Sequence, residues 1–351
     1  MRSTPLLESL FSRRLLVVSG KGGVGKTTVA AALAKLAADA GRTVLLVSTD
    51  GRGDAATLFE KRNAGYREVE LAPRLHGLTA DFDALLADFV GSVSPVRMLG
   101  DRLLAVPAFR FFTRATPGLP DLLLLGKIRE IFKRKKATAR EPRVEAIVLD
   151  APATGHALSL VALPRTLLAT VPAGPVRKLA ERLDALLSHP KDTALVVVSE
   201  PADFAAKETE ELIAGARERA GLTTALVVLN RVGRSERRDS PPRRDPDIPL
   251  LEIPEIEIAS PSRFFEAFVT TFEETAASPT REVAGEKTAR APARERRNFL
   301  SPSFAFPHAL DLRPALDREK LIVLTGPGGV GKTTLAAALG LAAARRGRRA
   351  L

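Results

Sequence analysis

The sequence predicts an α/β fold: a doubly wound, mostly parallel β-sheet with helices on both faces and one helical insertion. Three observations predict it. Short continuous apolar runs recur between helical segments, the pattern of strands buried on both faces. Several of these runs end in polar residues, as in "EAIVLD" (Glu145–Asp150), "ALVVVS" (Ala194–Ser199) and "ALVVLN" (Ala225–Asn230). A glycine-rich stretch, "VSGKGGVGKTTV" (Val18–Val29), lies between the first apolar run and an alanine-rich segment.

Taken in order, "RLLVVS" (Arg14–Ser19) is the first strand, and "TTVAAALAKLAADAG" after the loop is a helix closed by Gly41. "TVLLVS" (Thr43–Ser48) is the second strand, and the three runs above supply further ones. Ligands of such sheets gather at the carboxyl ends of the strands, where Ser19, Asp50, Asp150, Glu200 and Asn230 lie. Residues 81–136 change to a helical insertion broken at Pro95, Pro107 and Pro117. A Pro- and Arg-rich loop runs from Gly233 to about Asp247, "IPLLEIPEIE" adds a strand, and "ASPSRFFEAFVTTFEETAAS" forms a last helix. The first domain is thus expected over residues 1–278, with a linker over 279–312.

The glycine-rich stretch has the spacing and the strand–loop–helix context of a phosphate loop, which makes the fold that of a P-loop NTPase. Gly20, Gly22, Gly23 and Gly25 let backbone N–H groups curl around phosphates, Val24 and Thr28 completing the cradle. Lys26 is placed to reach the β- and γ-phosphates, and the Thr27 hydroxyl to ligate Mg²⁺. The following helix turns its positive end to the same charge. The expected ligands are therefore ATP and Mg²⁺. Lys21 is an extra lysine that this chemistry does not require.

Near the end, "LTGPGGVGKTTL" (Leu324–Leu335) repeats the loop with Pro327 in place of Lys21. Aligned at that offset, Arg14–Leu45 and Lys320–Leu351 share 19 of 32 residues, too many for chance. Residues 313–351 are therefore expected to begin a second P-loop unit, incomplete as it stands, with Gly328, Gly329, Gly331, Lys332 and Thr333 as its loop.

Composition excludes several other chemistries. The chain has 351 residues, 45% hydrophobic and 27% charged, with no cysteine. Disulfides, thiolate zinc sites and thiolate metalloid sites are excluded. No apolar run reaches the roughly 18 residues of a membrane span. The N-terminus lacks a secretory signal, so a cytoplasmic location is expected, with a peripheral position at a membrane as a variant. The net charge of +12 gathers in "KRKKATAREPR" (Lys133–Arg143), "RVGRSERRDSPPRRD" (Arg231–Asp245) and "RRGRR" (Arg345–Arg349). With no Trp and one Tyr, base-stacking platforms are scarce, so nucleic acid is not the expected partner.

The extra Lys21 makes the loop similar to that of the deviant Walker A ATPases, where the signature lysine reaches across a dimer interface to the partner's phosphates. Four further stretches narrow the resemblance: "LDAPATGHALSLVALP" (Leu149–Pro164), "TPGLPDLLLLGKI" (Thr116–Ile128), "SEPADFAAKETEEL" (Ser199–Leu212) and "VVLNRV" (Val227–Val232). Together, over residues 14–260, they resemble the ArsA-type anion-transporting ATPases, the arsenical-pump and tail-anchored-protein-targeting group. The resemblance implies ATP hydrolysis in a homodimer or with a companion ATPase, for a membrane-protein or other hydrophobic client. It also implies Asp150 as the carboxylate of the Mg²⁺ site and Asp50 as the residue that positions water. Asn230 would be the adenine-side asparagine, and Lys21, with Lys26, would stabilise the transferred phosphoryl group. Gly155 would move with a switch that His156 helps to fix; a structural role for His156 is the alternative.

The sequence departs from the family at "STDGRGDAATLFE" (Ser48–Glu60), where Gly51, Arg52 and Gly53 replace Pro-Ala-His; this resembles an acidic-Gly-Arg subset. Asp54 then rivals Asp50. Pro327 would make the two loops inequivalent, one giving a cross-interface charge and the other receiving it. Only Met1 and Met98 are present, so a Met-rich client groove is not expected; Phe and Leu in residues 82–112 either line an apolar surface or pack as core. Two other functions fit the loop: a MinD- or ParA-like spatial regulator acting on membrane or DNA, and a low-turnover, nucleotide-gated chaperone for hydrophobic segments.

Overall fold

A computed structural model describes residues 4–49, 54–61, 65–93, 105–134, 142–201, 203–233, 247–258, 260–277 and 332–347. The chain divides into two units, Met1–Glu282 and Val283–Leu351. In the first unit the described strands are β1 (Leu15–Gly20), β2 (Val44–Ser48), β3 (Val69–Ala72), β4 (Leu75–Thr79), β5 (Ala146–Ala153), β6 (Thr193–Ser199), β7 (Thr224–Val232) and β8 (Leu250–Pro254). They form one sheet in the order β3-β4-β2-β5-β1-β6-β7-β8. Every pairing is parallel except β3 with β4. The protein has the α/β fold of a P-loop NTPase.

The described helices of this unit are α1 (Pro5–Phe11), α2 (Lys26–Asp39), α3 (Asp54–Thr57), α4 (Phe82–Val93), α5 (Pro107–Ala115), α6 (Leu119–Phe132), α7 (Thr154–Thr170), α8 (Pro175–Ser188), α9 (Asp203–Ala220) and α10 (Pro261–Ala277). The period-2 geometry of the strands divides the core in two. Leu16, Val18, Val44, Leu46, Val148 and Val196 point to one face, where α2, α10 and α1 cover them. Leu15, Val17, Leu45, Val47, Ile147 and Leu149 point to the other, under α4, α6, α7, α8 and α9. Both faces are covered, so the strands read as unbroken apolar runs rather than alternating ones.

On the first face, α2 buries Ala30, Ala31, Ala32, Ala34 and Ala37, small side chains that let the helix lie close to the sheet. It ends at Gly41, whose φ of 94° suits glycine in the turn after a helix. Against it, α10 presents Phe265, Phe268 and Phe272 at a spacing of three or four residues, all buried. Phe265 meets Phe59 edge to face, with ring centroids 4.9 Å apart. This aromatic wedge fixes α2, and with it the position of the loop before it.

Several elements escape the strand-and-helix reading of the sequence, among them α1, β3, β4 and α8. α1 starts on a real cap, the Leu7 N–H donating to Thr4 Oγ1 at 3.3 Å with Pro5 in the first turn. β3 and β4 form a hairpin around Arg74, which adopts φ 62°, and β4 then extends the sheet beside β2. α8 runs between the insertion and β6. Of the expected breaks in the insertion, Pro107 opens α5 and Pro117 lies between α5 and α6, while Pro95 lies outside the described residues. In the second unit one helix is described, α11 (Lys332–Arg345).

Candidate phosphate-binding site

β1 sits between β5 and β6, and the chain leaves β1 to build each side of the sheet in turn. Such a switch point opens a crevice at the carboxyl end of the central strand. The loop Gly20–Gly25 fills that end and runs straight into α2. Asp150 pairs in register with Val18 on one side and Ser48 on the other, so its carboxylate rises beside the loop.

Close approaches fix this loop. A Cβ on Gly20 would lie 2.0 Å from the Val198 carbonyl oxygen of β6, and one on Gly25 2.4 Å from Asn230 Nδ2. Gly23 and Gly25 both have φ 88°, a left-handed conformation that glycine adopts without strain. Gly25 is the N-cap of α2 and no side chain accepts from the first turn. The opening N–H groups of α2 are therefore left to the cradle, with the positive end of the helix dipole behind them.

Four contacts complete the geometry. Thr27 donates its hydroxyl to Asp150 Oδ2 at 2.8 Å, and Asp150 is 5% exposed. Lys26 Nζ donates to the Lys21 carbonyl at 2.9 Å, curling over the loop. Asn230, 5% exposed at the end of β7, donates from Nδ2 to the Val24 carbonyl at 2.9 Å. Lys21 Nζ lies 3.6 Å from Glu208 of α9. Behind these, Ser19 donates to the Pro152 carbonyl and Thr49 to the Asp150 carbonyl, which fixes the end of β5 against β1 and β2. Glu208 is followed by Thr209, whose hydroxyl is buried against Ser199 Oγ at 2.8 Å, so the turn of α9 that carries it is anchored to β6.

The donor set fits a hard divalent cation. Thr27 Oγ1 and a buried carboxylate converge, and Mg²⁺ takes a hydroxyl, a carboxylate, water and phosphate oxygens rather than a protein cage. Among the described residues no group of three or more His, Cys, Asp and Glu is placed to hold a metal by itself.

With that geometry in place, comparison with known proteins becomes informative. Residues 13–173 match the family model described as "Anion-transporting ATPase". This part of the chain is similar to the anion-transporting ATPase family. Residues 309–351 match a different model, "IstB-like ATP binding protein". Among the relatives, "ATPase BagA" of Mycobacterium tuberculosis is 34% identical over 223 residues, 62% of this chain and 65% of that protein. "ATPase GET3" of Debaryomyces hansenii is 31% identical over 175 residues, 46% of this chain and 50% of that protein. "ATPase ARSA1" of Chlamydomonas reinhardtii is 29% identical over 178 residues, 43% of this chain and 22% of that protein. The chain thus spans between a fifth and two thirds of the length of these relatives.

Set against the family's expected residues, the structure brings Gly20, Gly22, Gly23, Val24, Gly25, Lys26, Thr27, Thr28, Asp150 and Asn230 to one end of the sheet. Asp50, Arg52, Gly328, Gly329 and Gly331 lie outside the described residues. Lys332 opens α11, with Thr333 next in the helix. Gly155 and His156 are exposed in the first turn of α7. Asn230 holds the loop through one amide hydrogen; its second N–H and its oxygen are what adenine would use. Glu208 and Arg231 lie inside stretches that carry the family resemblance, but the sequence assigns neither a role of its own.

Asp121, in the first turn of α6, carries a pH prediction. Burial pushes its carboxyl above the ordinary value of 3.8, and the nearby His156 pulls partly the other way. A carboxyl with a raised folded-state pKa holds its proton more tightly in the folded chain. Its contribution is then lost as pH rises from the ordinary carboxylate range through the raised value. Asp121→Asn is expected to raise the melting midpoint at pH 7 and to leave it unchanged near pH 3. An equal shift at both pH values would show that charge is not the cause.

Proposed function

We propose that the chain is an ATPase that binds ATP with Mg²⁺, hydrolyses it, and works as a pair with a second copy or a companion ATPase. The observation that carries this is the 2.8 Å bond between Thr27 and the buried Asp150, beside a loop whose N–H groups end in an uncapped helix. A glycine turn without a ligand has no use for a buried carboxylate there. The family of residues 13–173 and the relatives' name, ATPase, support the same reading.

In this reading the N–H groups of the loop and the first turn of α2 receive the phosphates. Lys26 exchanges the Lys21 carbonyl for a phosphate oxygen, which places a full charge where the transferred group becomes more negative. Thr27 and Asp150 hold Mg²⁺, which when bound neutralises charge on the phosphate oxygens. Asp150 keeps its place through the register of β5 against β1 and β2. Asp50 orients the attacking water, and Asn230 reads the base with the amide positions its loop bond leaves. Lys21 crosses to the partner's phosphates, and Glu208 holds it until then. Closure of the pair around the nucleotide drives the targeting or transport of a client, without cysteine chemistry, since the chain has none.

Hydrolysis measured against protein concentration tests the pairing. Specific activity is expected to rise with concentration, to vanish on chelation of Mg²⁺, and to fall on the order of a hundredfold in Lys21→Ala, as when one transition-state donor is removed. Flat activity indifferent to Lys21→Ala would leave a self-sufficient site and sink the pairing. No hydrolysis by the full chain at any concentration would sink the enzyme reading itself.

A further inference from the structure

Arg231 follows Asn230 at the end of β7 and has no part in the chemistry above. Its backbone is left-handed, φ 58°, although it is not glycine. Its Nη1 donates to the Gly23 carbonyl at 3.1 Å and to Glu200 Oε1, at the end of β6, at 2.6 Å. Next to it, Asn230 donates to the Val24 carbonyl. Two consecutive residues of β7 thus grip two consecutive carbonyls of the phosphate loop.

The peptide unit turns this grip into a statement about the cradle. In a planar trans peptide the C=O and the following N–H point in opposite directions. Drawing the Gly23 and Val24 carbonyls toward β7 turns the N–H groups of Val24 and Gly25 the other way, out of the loop. Those donors are the ones a phosphate needs, and fixing them in advance removes an ordering cost from binding. We infer that Arg231 is a positioning residue which, with Asn230, clamps the loop from behind and aims its N–H groups at the phosphates. Glu200 supports the guanidinium so that one nitrogen serves both contacts. A left-handed backbone at a non-glycine residue persists where surrounding contacts over-determine it, and here these contacts do so.

The inference rests on the phosphate-binding reading, and its test separates the two. Arg231→Gly removes the side chain while keeping a residue at ease at φ 58°. In the nucleotide-free full chain, the backbone N–H order parameters of Val24 and Gly25 are expected to fall clearly below those of the wild type. Affinity for Mg·ADP is expected to weaken about tenfold, the size of one charge-assisted hydrogen bond. The melting midpoint should hold or rise, because the left-handed strain is gone and an exposed ion pair adds little. Arg231→Lys should recover most of the affinity.

Unchanged order parameters at Val24 and Gly25 in Arg231→Gly overturn the clamp, whether or not nucleotide binds. A fall in melting midpoint in step with affinity also overturns it, making Arg231 an ordinary folding contact. If the order parameters fall but the wild-type chain binds no ADP, the clamp stands and the nucleotide reading falls.

Discussion

Lys26→Ala is expected to lower the rate of ATP hydrolysis on the order of 10²- to 10³-fold, the loss seen when one preorganised transition-state donor is removed. Lys26 is the first residue of α2, directly after a cap that offers the nucleotide backbone N–H groups and no side chain. In the proposed function it is the full positive charge of its own loop that meets the group in transfer. Its ammonium donates to the Lys21 carbonyl, an acceptor that water can serve. Stability is expected to fall by no more than about 1 kcal/mol, the size of a typical net hydrogen bond. Single-turnover hydrolysis and a urea melt on the same preparation check both parts. Retention of more than about a tenth of the wild-type rate would mean that the charge lies off the reaction coordinate.

Gly20→Ala is expected to destabilise the chain by about 3 kcal/mol or more, the upper range for an intrusion into a packed core. The added methyl would lie 2.0 Å from the Val198 carbonyl oxygen and 3.0 Å from its carbon. Gly20 and Val198 are register partners in β1 and β6, the centre of the sheet. The obstacle is backbone in a ladder, so no side chain can turn aside. Either β1 and β6 separate or the loop starts from another place. Gly22→Ala is the control, since a methyl there meets nothing within 4 Å, and it should cost less than about 0.5 kcal/mol. Equal urea midpoints for the two variants would refute the geometric argument.

How far the sequence could be read depended on where the physics is local. The strands beside the site were legible because burial on both faces makes a run such as Leu15–Val18 apolar throughout. The hairpin β3–β4 was not: its strands are short and partly exposed, and polar residues interrupt them. α1 was not read as a helix, although Thr4 and Pro5 are a start signal and Leu7, Leu10 and Phe11 are buried. The glycines of the loop were legible as glycines. Which of them is indispensable was not, because that depends on Val198 and Asn230, more than 170 residues away in the sequence.

The sequence by itself determined the phosphate loop, the strand-to-helix order around it, the absence of thiolate chemistry and the resemblance of residues 14–260 to one ATPase family. These follow from spacing and residue type, which are properties of neighbours along the chain. Only the tertiary structure decided that Asp150 meets Thr27, that Lys21 rests on Glu208, and that Asn230 and Arg231 take hold of the loop. The first joins neighbouring strands, β1 and β5, Lys21 meets the helix after β6, and Asn230 and Arg231 reach the loop from β7, two strands from β1 and distant in sequence. The parallel order, with β1 between β5 and β6, brings them together. A single chain's pattern of residues does not encode that adjacency locally. It emerges when both faces of the sheet are buried and one register satisfies every strand at once.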